Sequence, residues 1–230
     1  MGGHVPKESS LGGELAPDAP VVPPSSAARL VLTLMAFGIA AGFAVALAFR
    51  WADPRIQAHQ AMLLRAAITE VLKAPDHYTT LFVDHGRLTD TPPAGADTAR
   101  LDRVYLGFDA AGKPIGFAIA GGRPGFQDEV RLIFGYDART RKILGMKVID
   151  HRETPGIGDK IEKDSGFVAE FQGPAAPLEG VKAGRGNGNP HAVDMITGAT
   201  ISSRAVLAAI NARIQALGPA LDAYVNGGGR

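Results

Sequence analysis

The chain has 230 residues, enough for one domain with attachments or for two small domains. Its 24 Lys and Arg residues balance 23 Asp and Glu residues, and the resulting net charge of +1 does not indicate a nucleic-acid-binding protein, which normally carries a basic face. Because the chain contains no cysteine, it cannot form disulfides, zinc–thiolate sites or cysteine-ligated iron–sulfur clusters from its own residues.

The first predicted elements are a tail and a membrane anchor. Residues 1–29 are rich in Gly, Pro, Ser and Ala, which predicts a disordered tail. Residues 30–49 carry no charge and would form a helix of about 30 Å, the thickness of a bilayer's hydrocarbon core. One alternative is a signal peptide cleaved after Ala48, and another is a buried core helix. The length of the apolar run and the weakly basic leader favour an uncleaved transmembrane helix.

The charges beside this span bear on its orientation. Arg50, Arg55 and Arg65 follow the span, whereas Arg29 alone lies close before it. Counted literally, the positive-inside rule therefore places the C-terminal domain in the cytoplasm.

Residues 50–230 are predicted to form one soluble domain. Helical spacing of apolar residues predicts a helix from Ile56 to Leu72 and a last helix from Ser203 to Leu217, stopped by Gly218-Pro219. Residues 173–190 are predicted to be a loop. Between the helices, short β-branched and aromatic runs separated by turn residues predict an antiparallel meander of four strands, Val104–Phe108, Ile115–Ala120, Val130–Tyr136 and Ile143–Ile149. The fold class is therefore α+β, an antiparallel sheet with flanking helices.

Two segments could carry chemistry, since the chain has no Gly-x-Ser-x-Gly elbow, no P-loop and no metal-ligand spacing of histidines. The first segment is residues 151–158, His-Arg-Glu-Thr-Pro-Gly-Ile-Gly, directly after a predicted strand. Pro155 disfavours a helical Thr154, and the two glycines permit turns closed to other residues. Such a loop could present backbone N–H groups to a flat or anionic ligand, or it could be a plain turn at the strand's end.

The second segment is residues 194–203, Asp-Met-Ile-Thr-Gly-Ala-Thr-Ile-Ser-Ser. The hydroxyls of Thr197 and Thr200 flank two very small residues, so a bulky group could approach Thr200. Unpaired N–H groups and the helix dipole at the start of the following helix favour an anion such as a phosphate. In the alternative interpretation, Ser202 or Ser203 merely caps the helix.

Together these segments resemble a known family. Residues 194–200 resemble the flavinylation signature Asp-x-x-(Ser/Thr)-Gly-Ala-(Ser/Thr) of FMN-binding domains with covalently attached flavin, and residues 153–158 resemble their companion motif Glu-Thr-Pro-Gly-x-Gly. With one N-terminal span, the pair resembles the G subunit of the Rnf electron-transport complex and is similar to the C subunit of the sodium-translocating NADH:quinone reductase. The resemblance covers residues 25–218 and departs slightly at Ile157, where Leu is usual, and at Thr197, where Ser is frequent.

The resemblance implies a function. A separate flavin transferase would link FMN through a phosphoester to Thr200, and Asp194 would be recognised by that enzyme or hold the turn in shape. The protein would relay electrons between centres of an ion-translocating complex in the bacterial inner membrane, with other membrane subunits as partners. The family places this domain on the periplasmic face, and we follow the family rather than the arginine count. The expected cofactor-binding residues are Thr200, Thr197, Gly198, Ala199, Asp194, Glu153, Thr154, Gly156, Ile157 and Gly158.

Two alternatives share the same anchor. The chain could be a flavinylated, membrane-anchored domain of another reductase or regulator. It could also be a membrane-tethered assembly module without redox activity, in which Thr200 is never modified. No signature of a soluble substrate is present, so we expect a redox subunit rather than a stand-alone enzyme.

Overall fold

The computed structural model describes residues 27–93, 95–98 and 101–227, and it separates into two compact units at Arg55/Ile56. Residues 1–26 of the predicted tail therefore lie outside the described residues. Residues 27–29, which we assigned to the tail, are already helical.

The first helix, α1, covers Ala27–Val71. It merges the predicted span with the helix predicted from Ile56 to Leu72, because a change from apolar to polar side chains does not by itself end a helix. Its large apolar side chains between Leu30 and Phe49 are all exposed, which excludes a buried core helix. The helix is long and apolar enough to cross a membrane.

The second unit is built on a six-stranded antiparallel sheet in the order β2-β1-β3-β4-β5-β6. Its strands are His77–Asp84, Arg87–Thr89, Arg103–Phe108, Pro114–Pro124, Glu129–Asp137 and Lys142–Asp150. The last four confirm the predicted antiparallel meander. We did not predict β1 and β2, since polar residues interrupt the apolar alternation of β1 and β2 has three residues.

The predicted loop over 173–190 is partly wrong. It contains β7, Glu179–Lys182, which pairs in parallel with β8, Ala192–Met195. Strand β7 has the sequence Glu-Gly-Val-Lys, and a run with one apolar residue has no strand period to recognise. Two short helices, α2 at Lys160–Lys163 and α3 at Ser165–Ala169, precede it.

The last helix, α4, covers Thr200–Gly227 and continues through Pro219, so the predicted stop at Gly218-Pro219 is wrong. Proline in a helix interior removes one backbone hydrogen bond and normally breaks or kinks the helix. Here Leu217, Ala220 and Leu221 are buried around Pro219, and this packing holds the chain helical beyond it.

Helices cover both faces of the sheet, because alternate residues of each strand point to opposite sides. On one face, Val104 and Leu106 of β3 belong to the core that includes Val206 and Ile210 of α4. On the other, Tyr105 belongs to a smaller core formed with the buried end of α1. This three-layer arrangement confirms the α+β class with flanking helices.

The contact between α1 and the sheet requires a glycine in β5. A Cβ on Gly135 would overlap the carbonyl oxygen of Val71, whereas one on its cross-strand neighbour Gly145 would lie 3.5 Å from Val71, an ordinary contact distance. We expect Gly135→Ala to lower the free energy of unfolding by about 2 kcal/mol through overpacking. The matched variant Gly145→Ala should stay within about 0.5 kcal/mol of wild type. Thermal denaturation of the detergent-solubilised full chain measures both, and equal melting temperatures for the two variants would contradict this packing.

Candidate functional site

A cleft lies where three segments of the second unit meet. These are the loop between β4 and β5, the loop between β6 and α2, and the start of α4. The cleft has a volume of about 380 Å³ and is lined by Phe126, Glu153, Thr154, Ile157, Gly158, Gly198, Ala199, Thr200, Ile201 and Ser202. It brings together residues from both segments that the sequence singled out.

The loop after β6 is closed by its own backbone. The carbonyl oxygen of Thr154 accepts hydrogen bonds from the N–H groups of Ile157 at 3.2 Å, Gly158 at 2.9 Å and Asp159 at 3.3 Å. Gly156 has φ +78°, a left-handed conformation that favours glycine. A Cβ on Gly158 would lie 2.8 Å from Oε2 of Glu153, so glycine is needed there for close approach.

Glu153, a residue that is only 4% exposed, ties the three segments together. Its Oε1 accepts hydrogen bonds from the backbone N–H groups of Phe126 at 2.9 Å and Gln127 at 3.1 Å. Its Oε2 accepts a short hydrogen bond from Oγ of Ser202 in the first turn of α4. Gln127 also donates through Nε2 to Oγ1 of Thr154 at 2.8 Å, a second link between the two loops.

These hydrogen bonds keep Glu153 ionised. Burial raises the pKa of its carboxyl group, but the donors Ser202, Gln127 and Phe126 stabilise the charged form, and the net pKa lies below the ordinary value. The carboxylate is therefore a permanent negative charge at neutral pH. Both carboxylate oxygens accept hydrogen bonds from the protein itself, so Glu153 forms part of the wall of the cleft.

The other wall is the turn into α4. Gly198 has φ +88°, and the buried Ala199 precedes the first helical residue, Thr200. The N–H of Ser203 makes a helical hydrogen bond to the carbonyl oxygen of Ala199 at 2.9 Å. Residues 200–202 come before Ser203 in the chain, and their N–H groups have no acceptor within the helix.

Neither serine caps the helix as the alternative interpretation required. Oγ of Ser202 donates to Glu153, and Oγ of Ser203 donates to the carbonyl oxygen of Ala199 at 2.9 Å while accepting from the N–H of Ile196 at 3.2 Å. Within the described part of the chain, Oγ1 of Thr200 makes no hydrogen bond. The start of α4 is thus open toward the cleft.

Three large apolar side chains at the cleft are unusually exposed. Phe126 is 65% exposed, Ile157 53% and Ile201 51%. Of these only Ile157 was predicted. Phe126 was missed because it lies in the turn before β5 and belongs to neither motif. Ile201 was missed because its neighbours were interpreted as the start of a helix. An aromatic residue beside glycine in a predicted turn was the available signal for Phe126.

Three of the predicted residues do not line the cleft. Gly156 and Thr197 are exposed in the turns of the two loops. Asp194 lies on β8, where its Oδ2 accepts a hydrogen bond from the N–H of Gly184 at 2.6 Å. This contact ties Asp194 to the loop after β7 rather than to the turn at residues 197–200.

The residues fit a flat aromatic group that carries a phosphate. The exposed apolar side chains offer contact surface to a ring, and the small residues Gly158, Gly198 and Ala199 leave room for it. The start of α4 offers unpaired N–H groups and a favourable dipole to an anion. Among the described residues no cluster of His, Cys, Asp and Glu could hold a metal ion.

Comparison with known proteins identifies relatives of the chain. Residues 125–215 match the FMN-binding domain family. The G subunit of the ion-translocating oxidoreductase complex of Salmonella typhi is 34% identical over 158 residues, which are 66% of this chain and 72% of that protein. Its namesake from Pectobacterium atrosepticum is 29% identical over 181 residues, which are 78% of this chain and 84% of that protein.

Solved structures share the fold. NqrC of Shewanella oneidensis superposes with a TM-score of 0.61 at 20% identity, covering 72% of this chain and 99% of that one. The C subunit of the Na(+)-translocating NADH-quinone reductase from Parabacteroides distasonis gives a TM-score of 0.51 at 22% identity, covering 64% and 78% of the two chains.

The low pKa of Glu153 predicts a pH-dependent contribution to stability. A carboxyl group whose pKa is lowered by folding stabilises the protein at pH values above its pKa in the unfolded chain, 4.5. This stabilisation is lost as the pH falls through the lower pKa of the folded state. We expect Glu153→Gln to cost about 2 kcal/mol at pH 7, or about 4–8 °C in melting temperature. The difference in melting temperature between this variant and wild type should shrink as the pH is lowered below 4.5.

The matched control is Glu179→Gln, which removes an exposed carboxylate that accepts from Asn189. Its melting temperature should follow wild type at every pH. A gap between wild type and Glu153→Gln that is constant from pH 7 to pH 4 would contradict the assigned ionisation.

Proposed function

Because the chain belongs to the family of G subunits of ion-translocating oxidoreductase complexes, we propose that it is the electron-relay subunit of an Rnf-type complex and carries FMN linked covalently to Thr200. Its relatives support an electron-transfer subunit that binds FMN. The observation that carries the covalent proposal is the position of Thr200, the first residue of α4, in the lining of the cleft.

Attachment requires a donor of the FMN group and an enzyme to transfer it. In the proposed step a flavin transferase uses FAD, and Oγ1 of Thr200 attacks the phosphorus next to riboflavin. A new O–P bond forms, the pyrophosphate bond breaks, AMP leaves, and the hydroxyl proton passes to solvent. An unperturbed threonine hydroxyl is a weak nucleophile, so the transferase must supply the base that activates it. The half-buried Thr200 has Gly198 and Ala199 as small neighbours, which leaves access for that enzyme.

Once formed, the phosphodiester keeps one negative charge beside Thr200. The N–H groups of residues 200–202 have no acceptor within the helix and lie close to it in sequence, and the helix dipole favours an anion at this end. The chain therefore needs no basic cluster at the cleft to hold the phosphate.

The larger residues that line the cleft then have physical roles. Phe126, Ile157 and Ile201 provide apolar surface that orients the ring system and excludes water, and Glu153 holds the two loops and α4 in register. Bound FMN supplies the exchange of one or two electrons with neighbouring centres. Covalent attachment suits a relay because the carrier is not lost to solvent.

Helix α1 supports a membrane location, because it is long and apolar enough to span a bilayer. In this proposal it spans the cytoplasmic membrane and packs beside the other membrane subunits of the complex, with the second unit on the periplasmic side. The relatives, named as subunits of an ion-translocating complex, favour this over a membrane-tethered module without redox activity.

Covalent attachment predicts a specific pattern of flavin fluorescence. Full-length chain co-expressed with a flavin transferase should give a fluorescent band in a denaturing gel under ultraviolet light. Thr200→Ala should reduce this signal to background because the attacking oxygen is gone. Thr200→Ser keeps the oxygen and should remain fluorescent. Peptide mass spectrometry should show the fragment containing Thr200 heavier by FMN minus one water, and fluorescence that persists in Thr200→Ala would refute the linkage.

The absence of cysteine allows a direct test of orientation. Thr140→Cys places one thiol on an exposed turn of the second unit, and Ser9→Cys places one before α1. In intact spheroplasts a membrane-impermeant maleimide should label the first variant, and should label the second only after permeabilisation. The reverse pattern would place the second unit in the cytoplasm.

A further inference from the structure

Glu153 is the one charged side chain among the described residues that line the cleft. It is buried, and its hydrogen-bond donors are backbone N–H groups of the loop between β4 and β5 and the hydroxyl of Ser202, all of them electrically neutral. In the described ranges no Lys or Arg forms an ion pair with it. The nearby Arg152 pairs instead with Asp128 at 3.5 Å, on the exposed side of the loop.

We propose that the Glu153 carboxylate is a fixed negative charge that lowers the reduction potential of the flavin held in the cleft. This inference rests on the proposed function and adds a property of the same site. It assigns Glu153 a role beyond holding the walls together.

The physical basis is repulsion between like charges. Reduction brings electrons from a neighbouring redox centre into the ring system and so raises its electron density. A carboxylate in the wall of the same cleft opposes this gain, and its burial limits screening by water and salt. Because its donors are neutral, they stabilise the carboxylate without cancelling its net charge. The oxidised form is therefore favoured relative to the same cleft without the charge.

A purely structural role would give a different result, and two substitutions separate the two roles. Glu153→Gln removes the charge while keeping the shape and an oxygen that can accept from Phe126 and Gln127. Ser202→Ala removes a hydrogen bond from the same cluster while keeping the charge. Glu162→Gln removes an exposed carboxylate, which pairs with His151 outside the cleft.

The test is a spectroelectrochemical titration of each full-length, flavinylated variant in detergent at pH 8, with dithionite as electron donor. Glu153→Gln should favour the reduced flavin at least tenfold, a rise of about 30 mV in midpoint potential for a two-electron couple. Glu162→Gln should stay within about threefold of wild type, or about 15 mV. Ser202→Ala keeps the charge and should shift the potential by less than Glu153→Gln does.

Three outcomes would overturn the inference. Glu153→Gln could carry flavin at the wild-type potential, or Ser202→Ala could shift the potential as far as Glu153→Gln. If Glu153→Gln takes up no flavin, Glu153→Asp decides, because it keeps the charge but changes the hydrogen bonds: a wild-type potential supports the inference, and a tenfold shift toward reduction refutes it. Wild-type chain that carries no flavin in the presence of the transferase would instead refute the proposed function.

Discussion

One buried carboxylate holds together three segments that are far apart in sequence. Glu153 accepts hydrogen bonds from residues 27 and 26 positions before it and from one 49 positions after it. A buried charge is costly unless it is fully hydrogen-bonded, so the two loops and α4 are constrained to meet at this point. The cleft exists because these segments meet, and the same carboxylate sets its electrostatic character.

The sheet gives this cluster a rigid base. Helix α4 begins at the cleft and packs Val206 and Ile210 against one face of the sheet, which fixes where its N-terminal N–H groups lie. The end of α1 closes the other face through contacts as tight as that between Val71 and Gly135. Site residues carried at the ends of packed strands and helices are held more precisely than residues on free loops. The same architecture leaves Phe126 exposed at the mouth of the cleft.

The predictions succeeded where the signal was local. Residues such as Leu132 and Phe134 lie in apolar strand runs, so the meander was predicted within a few residues. The predictions failed where tertiary contacts outweighed the local conformational preference of the residues. Strand β7 exists because it pairs with β8, and α4 passes Pro219 because the residues around it are buried. The boundary between the predicted span and the following helix disappeared because a change in side-chain polarity does not end a helix.

The sequence by itself determined the chemistry at single positions: a hydroxyl at Thr200, glycine where the chain must turn, and an apolar run long enough for a membrane. Such features depend on residue type and on neighbours within a few positions. The tertiary structure alone decided that Glu153 is buried rather than open to a ligand, that Ser202 donates to it rather than capping α4, and that Phe126 joins the site. Those facts depend on distances between segments remote in sequence, which no local pattern of residues encodes.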